Sequence, residues 1–451
     1  MTATSTPRST APRPAEPEWV AELRRAGAAR YEGLRLPTPR DEDWRFTDLA
    51  PIAKAELGLV RAPGALTATD IAPFLFGQAE WPRLVFANGR FQAALSRVTG
   101  LPAGVRFAPL AELLADSPEL VEGTLGQLAV QPAAASIVGQ NAAAFTDGYA
   151  LVLSAGAVVD TPIHVLFVSD SRAARGAVHP RNVVVLGANA VASVVESYAA
   201  LADGITLTNT VTEARLAAGA RFDHCKIQRE STQAFHLATL EVRQERDSYL
   251  NSFSFAEGAA LSRTNIYTTM AGPGAHATLY GLYLGDGRQH VDHQTRIEHA
   301  APHCTSWEVY KGILDGHAHG VFNGKVYVHP VAQKTDGKQT NRNLLLSETA
   351  KVDTKPQLEI FADDVKCTHG ATVGSLNDVP LFYCRSRGIP EAEARTLLTY
   401  AFAADVLEEI RSRPVVDYLE GFMRAWLLKA GKRVSGADGQ LGRRAAGQET
   451  A

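Results

Sequence analysis

Cys367 and His369 lie two residues apart in the stretch DDVKCTHGATVG, Asp363–Gly374. On an extended strand, residues i and i+2 share one face. A thiolate and an imidazole side by side form a borderline-soft ligand pair suited to iron or zinc. Two ligands do not complete a tetrahedral site. The others must come from elsewhere in the chain, from a partner subunit or from sulphide. The bland alternative is a buried cysteine beside a structural histidine. A nucleophile–base pair finds less support, because only Asp363 and Asp364 offer an orienting carboxylate and no oxyanion hole can be identified.

A second polar cluster, HVDHQTRIEHAAPHC, holds His290, His293, His299, His303 and Cys304. Its spacing follows no standard zinc pattern. Short strands send alternate residues to opposite faces, so these side chains are expected to be solvent-facing or hydrogen-bonded rather than converged on one ion. If they did converge, the chain would read as a metal-dependent hydrolase. His317 and His319 share parity, but a surface turn is expected there. No Gly-x-x-x-x-Gly-Lys-Ser/Thr loop and no dinucleotide fingerprint after a strand occur, so a P-loop nucleotide hydrolase is disfavoured.

The elements that would position these residues change character along the chain. Residues 1–18, rich in Pro, Thr and Ser, read as a disordered tail. Residues 19–140 read as a helical or α+β N-terminal domain. Trp19, Leu23 and Ala26 fall on one helical face, interrupted by Gly27, and LAELLAD is a further helical patch. From Tyr149 the chain becomes a succession of short runs rich in Val, Ile, Thr, Tyr and Phe, such as HVLFVS, NVVVLG, TNIYTTM and VFNGKVYV, many alternating apolar and polar residues. Asn-Gly hairpin signals are few: Asn88–Gly89 precedes this region and Asn323–Gly324 lies inside it. Many short strands with few tight hairpins predict successive coils of a parallel β-helix over 149–380, with a two-layer sandwich as the alternative. Helical signals return over 388–431. Pro390 stands at a helix start with Glu391 and Glu393 in the first turn, Arg411 and Arg413 in the last turn and Pro414 as the stop. A second helix, VVDYLEGFMRAWLLKA, follows, and 432–451 read as a disordered tail.

The 45 basic and 48 acidic residues leave a formal charge of -3. That balance disfavours nucleic acid and anionic lipid as partners. The four cysteines, Cys225, Cys304, Cys367 and Cys384, are too few for a disulfide framework in 451 residues. No secretory signal and no apolar run of membrane-spanning length is seen, which points to the cytosol, where thiols stay reduced and available to metals.

The string VFNGKVYVHPVAQKTDGKQTNRNLLLSETAKVDTKPQLEIFADDVKCTHGATVG, continued by LFYCRSRGIPEAEARTLLTYAF and preceded by SWEVYKGIL, resembles the shared core of the SufB/SufD family. The resemblance is closest over Thr305–Ile410 and extends, more weakly, back to Tyr149. The absence of any cysteine before Cys225 and the Gly370 that follows His369 make the chain most similar to the SufD branch. Cys384 departs from that branch's usual leucine. The resemblance implies a mainly β fold, a right-handed parallel β-helix core flanked by N-terminal helical or α+β and C-terminal helical domains. It implies a non-catalytic scaffold subunit that pairs with SufB and binds the SufC ATPase through its C-terminal helices. His369 matches the histidine at the cluster-building interface, with Cys367 a secondary candidate. A nascent iron–sulphur cluster or iron would be shared with the SufB partner, with none tightly bound to the chain alone; without partners a homodimer can form. Pro390, Leu397, Leu398, Phe402 and Leu407 fall in the SufC-contacting region, although these apolar side chains could also pack on the chain's own core. A β-helix carbohydrate-active enzyme stands as the runner-up from another class, and the metal-dependent hydrolase as a third reading.

Overall fold

The computed structural model describes residues 16–34, 36–60, 64–172 and 175–428. Of the tails expected over 1–18 and 432–451, only residues 16–18 are among the described ones, and Glu18 already opens the first helix.

Strands dominate the middle of the chain and, among the described residues, form two ten-stranded sheets, parallel except for one antiparallel pair in each. Consecutive strands alternate between the sheets, so each coil contributes one strand to each. This is the parallel β-helix, and no strand in the coil region needs a hairpin. Its register is regular. His224, Ser252, Leu279, Glu308, Gln339 and His369 stand beside one another in one column of the first sheet. Leu240, Ile266, Thr295, Gly324 and Pro356 form the facing column of the second.

Alternation along each strand divides the side chains into lumen and outer face. Phe222, Leu250 and Leu279 meet Leu240 and Ile266 inside the solenoid. The outer residues Cys225, Phe253, Leu282 and Ile313 of the first sheet pack under Val406, Leu407, Leu419 and Met423 of the C-terminal helices. Outer residues of the second sheet, among them Val211, Leu237 and Tyr267, are covered by Trp44, Ile137 and Val138. Both faces are thus buried, as parallel sheets require.

The N-terminal region also closes one end of the solenoid. Arg83–Ala87 joins the first sheet beside Ile163–Ser169, and Val105–Pro109 joins the second against Tyr149–Leu153. The Glu213 carboxylate accepts the backbone N–H groups of Gly126, Leu128 and Ala129 and pairs with buried Arg181. Helix Glu18–Gly33 contains Gly27 because it crosses helix Ala135–Ala144 closely: a Cβ on Gly27 would lie 2.7 Å from that of Ala142.

Two local expectations are corrected. Asn88–Gly89 does turn a hairpin, with φ of 49° and 73°. Asn323–Gly324, by contrast, lies inside strand His319–Val328; the glycine there answers a packing need described below. Pro414 does not simply stop a helix. The helix Glu391–Leu407 ends earlier, and Pro414 sits in the first turn of the next, over 413–428, where a missing N–H is harmless. Among the described residues no helix is long and apolar enough to cross a membrane.

Candidate functional site

The last coil ends in two strands, Lys351–Ile360 and Lys366–Gly374, each at the edge of its sheet. Among the described residues, nothing pairs with their outer sides. Such long edges expose a row of backbone donors and acceptors, which soluble proteins normally shield or use.

Cys367 and His369 both lie on Lys366–Gly374 and share its lumen-side parity, since they continue the columns of Gly337 and Gln339. Cys367 is half-buried and packs with Val326 and Leu358 at the mouth of the lumen. Burial, aided by Asp336, raises its thiol above the ordinary range, so the sulphur stays protonated until a soft cation or base draws the proton. His369 is exposed. Side chains two apart on a strand are separated by roughly 6.6 Å of backbone rise, close enough to converge on one metal ion or cluster but too few to complete its coordination. Among the described residues no group of three or more His, Cys, Asp and Glu side chains is placed to hold a metal ion. Cys367 and His369 thus stand as a pair, without a third such side chain beside them among the described residues, on a strand at the edge of its sheet.

The second polar cluster is dispersed, which removes the basis of the hydrolase reading. His293 is buried in the lumen between the rings of Tyr283 and Tyr310, each 5.3 Å away, with Nε2 near Ser254 Oγ. His299 sits 2.9 Å from Ser306 Oγ, and Cys304 is buried against Gly272 O. His290 faces outward to Thr47 Oγ1 at 2.8 Å, while His303 occupies a turn with positive φ. His319 instead pairs with Asp353 at 2.7 Å.

At the C-terminal helices, Leu407 is 1 % exposed and belongs to the internal core, and Phe402 is partly buried over Lys311. Lys311 Nζ staples this helix to the solenoid through Asp405 Oδ1 at 2.5 Å and Phe402 O at 2.8 Å. Leu398 is half-buried, whereas Pro390 and Leu397 are exposed. Helix Asp378–Ser386 was not anticipated as a separate element. It carries Val379, Phe382 and Tyr383 at 73 %, 72 % and 60 % exposure, which with Leu397 give this end several uncovered apolar side chains. The signal was available in DVPLFYCRS, whose Asn377 caps the helix through Val379 N. Sequence reading also missed Gln339 and Glu308, which stand behind His369 in its column.

The fold is a parallel β-helix closed at one end by N-terminal strands, with Cys367 and His369 together on its last strand. Residues 167–402 match the family described as SUF system FeS cluster assembly, SufBD core domain, and residues 13–165 match the SufBD protein N-terminal region. The chain is 36 % identical over 396 residues to an iron–sulfur cluster assembly SufBD family protein of Synechocystis, covering 86 % of this chain and 87 % of that one. It is 32 % identical over 422 residues to the iron–sulfur cluster assembly protein SufD of Escherichia coli, covering 89 % and 90 %. The SufD of Bacillus subtilis is 25 % identical over 413 residues, covering 88 % and 91 %. The chain belongs to the SufBD family of iron–sulphur cluster assembly proteins.

Proposed function

We propose that this chain is a non-catalytic, cytoplasmic scaffold subunit of a SUF-type assembly complex, pairing with a SufB-type subunit and binding a SufC-type ATPase. The observation that carries the reading is the placement of His369 and Cys367 on the terminal strand, where both sheets end in edges that no other described strand pairs with. A partner strand added there would bring its own ligands beside this pair. The nascent cluster, the cargo of the complex, would then have a complete ligand set only in the assembled state. The chain alone is expected to hold no metal tightly. Without a partner the same edges favour a second copy of the chain.

Exposed Val379, Phe382, Tyr383 and Leu397 support docking of the ATPase at the C-terminal helices, since uncovered large apolar side chains in a cluster mark interaction surfaces. Movement of the docked ATPases would strain the β-helix pairing and open the cluster site. In the co-purified three-subunit complex, loaded anaerobically with Fe(II) and sulphide, His369→Ala is expected to cut cluster loading about tenfold or more. Cys367→Ser should cut it less. Undiminished loading in His369→Ala, with the complex intact, would sink the proposal.

A further inference from the structure

Gln339 stands beside His369 in the ladder, and Glu308 stands beside Gln339. Both are buried, at 1 % and 0 % exposure. Gln339 Nε2 donates to Glu308 Oε2 at 2.6 Å. Above its raised titration range, as at pH 8, the ionised Glu308 carboxylate can only accept, so it draws the amide nitrogen and turns the amide oxygen elsewhere. That oxygen, Gln339 Oε1, is buried and has no hydrogen-bond partner among the described residues. Buried acceptors are rarely left so, and each one asks for an explanation.

The facing sheet makes room for this amide. A Cβ on Gly324 would lie 2.2 Å from Gln339 Nε2 and 2.9 Å from its Cδ. Glycine weakens a strand interior and is kept where another group approaches closely. The Asn-Gly pair that resembles a turn is thus the wall of a seat for Gln339.

We propose that Gln339 is a positioning residue for His369: its Oε1 accepts a ring N–H from His369 and so directs the other ring nitrogen to the cluster, while Glu308 fixes the amide in that orientation. Strands in a ladder lie about 4.8 Å apart, within reach of a glutamine side chain on the same face. A histidine that ligates through one nitrogen commonly donates its other N–H to an oxygen, which fixes tautomer and ring direction. Gln339 supplies that oxygen without a charge of its own, and the charged group is held one rung further back. This inference rests on the reading of His369 as a cluster ligand.

The test uses the full chain labelled with ¹⁵N-histidine, with the His369 signals assigned by their loss in His369→Ala. Ring nitrogen shifts at pH 8 report the tautomer directly, and a general loss of stability does not change them. The wild type is expected to show one dominant neutral tautomer at His369. Gln339→Leu removes the acceptor, and Gly324→Ala displaces it by a separate route should the first variant fold poorly. Either is expected to give mixed tautomers and about a tenfold drop in Fe(II) and sulphide loading on the co-purified complex. If loading is lost in His369→Ala, yet the tautomer and loading stay as in wild type in the folded variant, this inference alone is overturned. If loading survives His369→Ala, the reading beneath it fails, and the positioning role with it.

Discussion

Burial pushes the Glu308 carboxyl from its ordinary 4.5 up to about 7, only partly offset by hydrogen bonds such as that from Gln339. Because the folded-state value is the higher one, the native protein binds this proton more tightly than the unfolded chain does. The stabilising contribution is full below about 4.5 and is lost as pH rises towards 7, a difference of roughly 3 kcal/mol. Glu308→Gln should remove that dependence. Urea melts at pH 8 and pH 5 are expected to show the variant gaining stability relative to wild type at the higher pH, and less or none at the lower. An equal effect at both pH values would contradict this account of the carboxyl. Stability gained at pH 8 together with weaker cluster loading is what a group retained for function rather than for folding should give. The Cys367–His369 pair was legible in the sequence because its shared face needs only a two-residue period. Gln339 and Glu308 were not, since their adjacency to His369 depends on coil lengths that vary and leave no strict repeat. Gly324 was misread for the same reason: the wall it forms faces a residue of another coil.

The strands were legible as elements, because alternating runs from HVLFVS to VFNGKVYV carry the two-residue period without help from neighbours. Several, however, hold polar residues in the lumen, such as Glu196, His224 and Lys226, so alternation alone did not reveal which face was the interior. Helix Glu391–Leu407 was legible from its caps and charges, but the division of its apolar residues was not. Only packing shows that Leu407 is internal while Leu397 is 49 % exposed. Substituting exposed residues should leave the fold nearly unchanged, within about 0.5 kcal/mol. The double variant Phe382→Asp, Leu397→Asp is therefore expected to melt like wild type while losing the SufC-type ATPase in co-purification. Retention of the ATPase would place its docking surface elsewhere. Helix Asp378–Ser386 itself escaped notice because its apolar residues mostly face outward and Pro380 interrupts the pattern.

The whole molecule is a solenoid with both outer faces covered, one end closed by N-terminal strands and the other open. Its burial of imidazoles fixes its response to acid. Desolvation lowers His164, His293 and His299 to about 3, and His179 and His290 to about 4. Their folded-state values lie below the ordinary 6.5, so the stability they contribute is full above 6.5 and is lost as pH falls towards 3. At pH 5 each costs about 2 kcal/mol relative to neutral pH. The five together outweigh the opposite trend of Glu308, Asp147 and Glu241, whose carboxyls burial raises. The melting temperature is expected to fall steeply between pH 6.5 and 5; a flat profile would contradict this burial. The open end is the centre of the functional account, and one measurement bears on it most directly. The chain is co-expressed with SufB- and SufC-type subunits, purified without oxygen, and assayed for iron and acid-labile sulphide beside the same complex carrying His369→Ala. The account requires both complexes to assemble, with cluster on the wild type and about a tenth as much or less on the variant. Equal cluster content in the two, or stoichiometric metal on the chain purified alone, would contradict it.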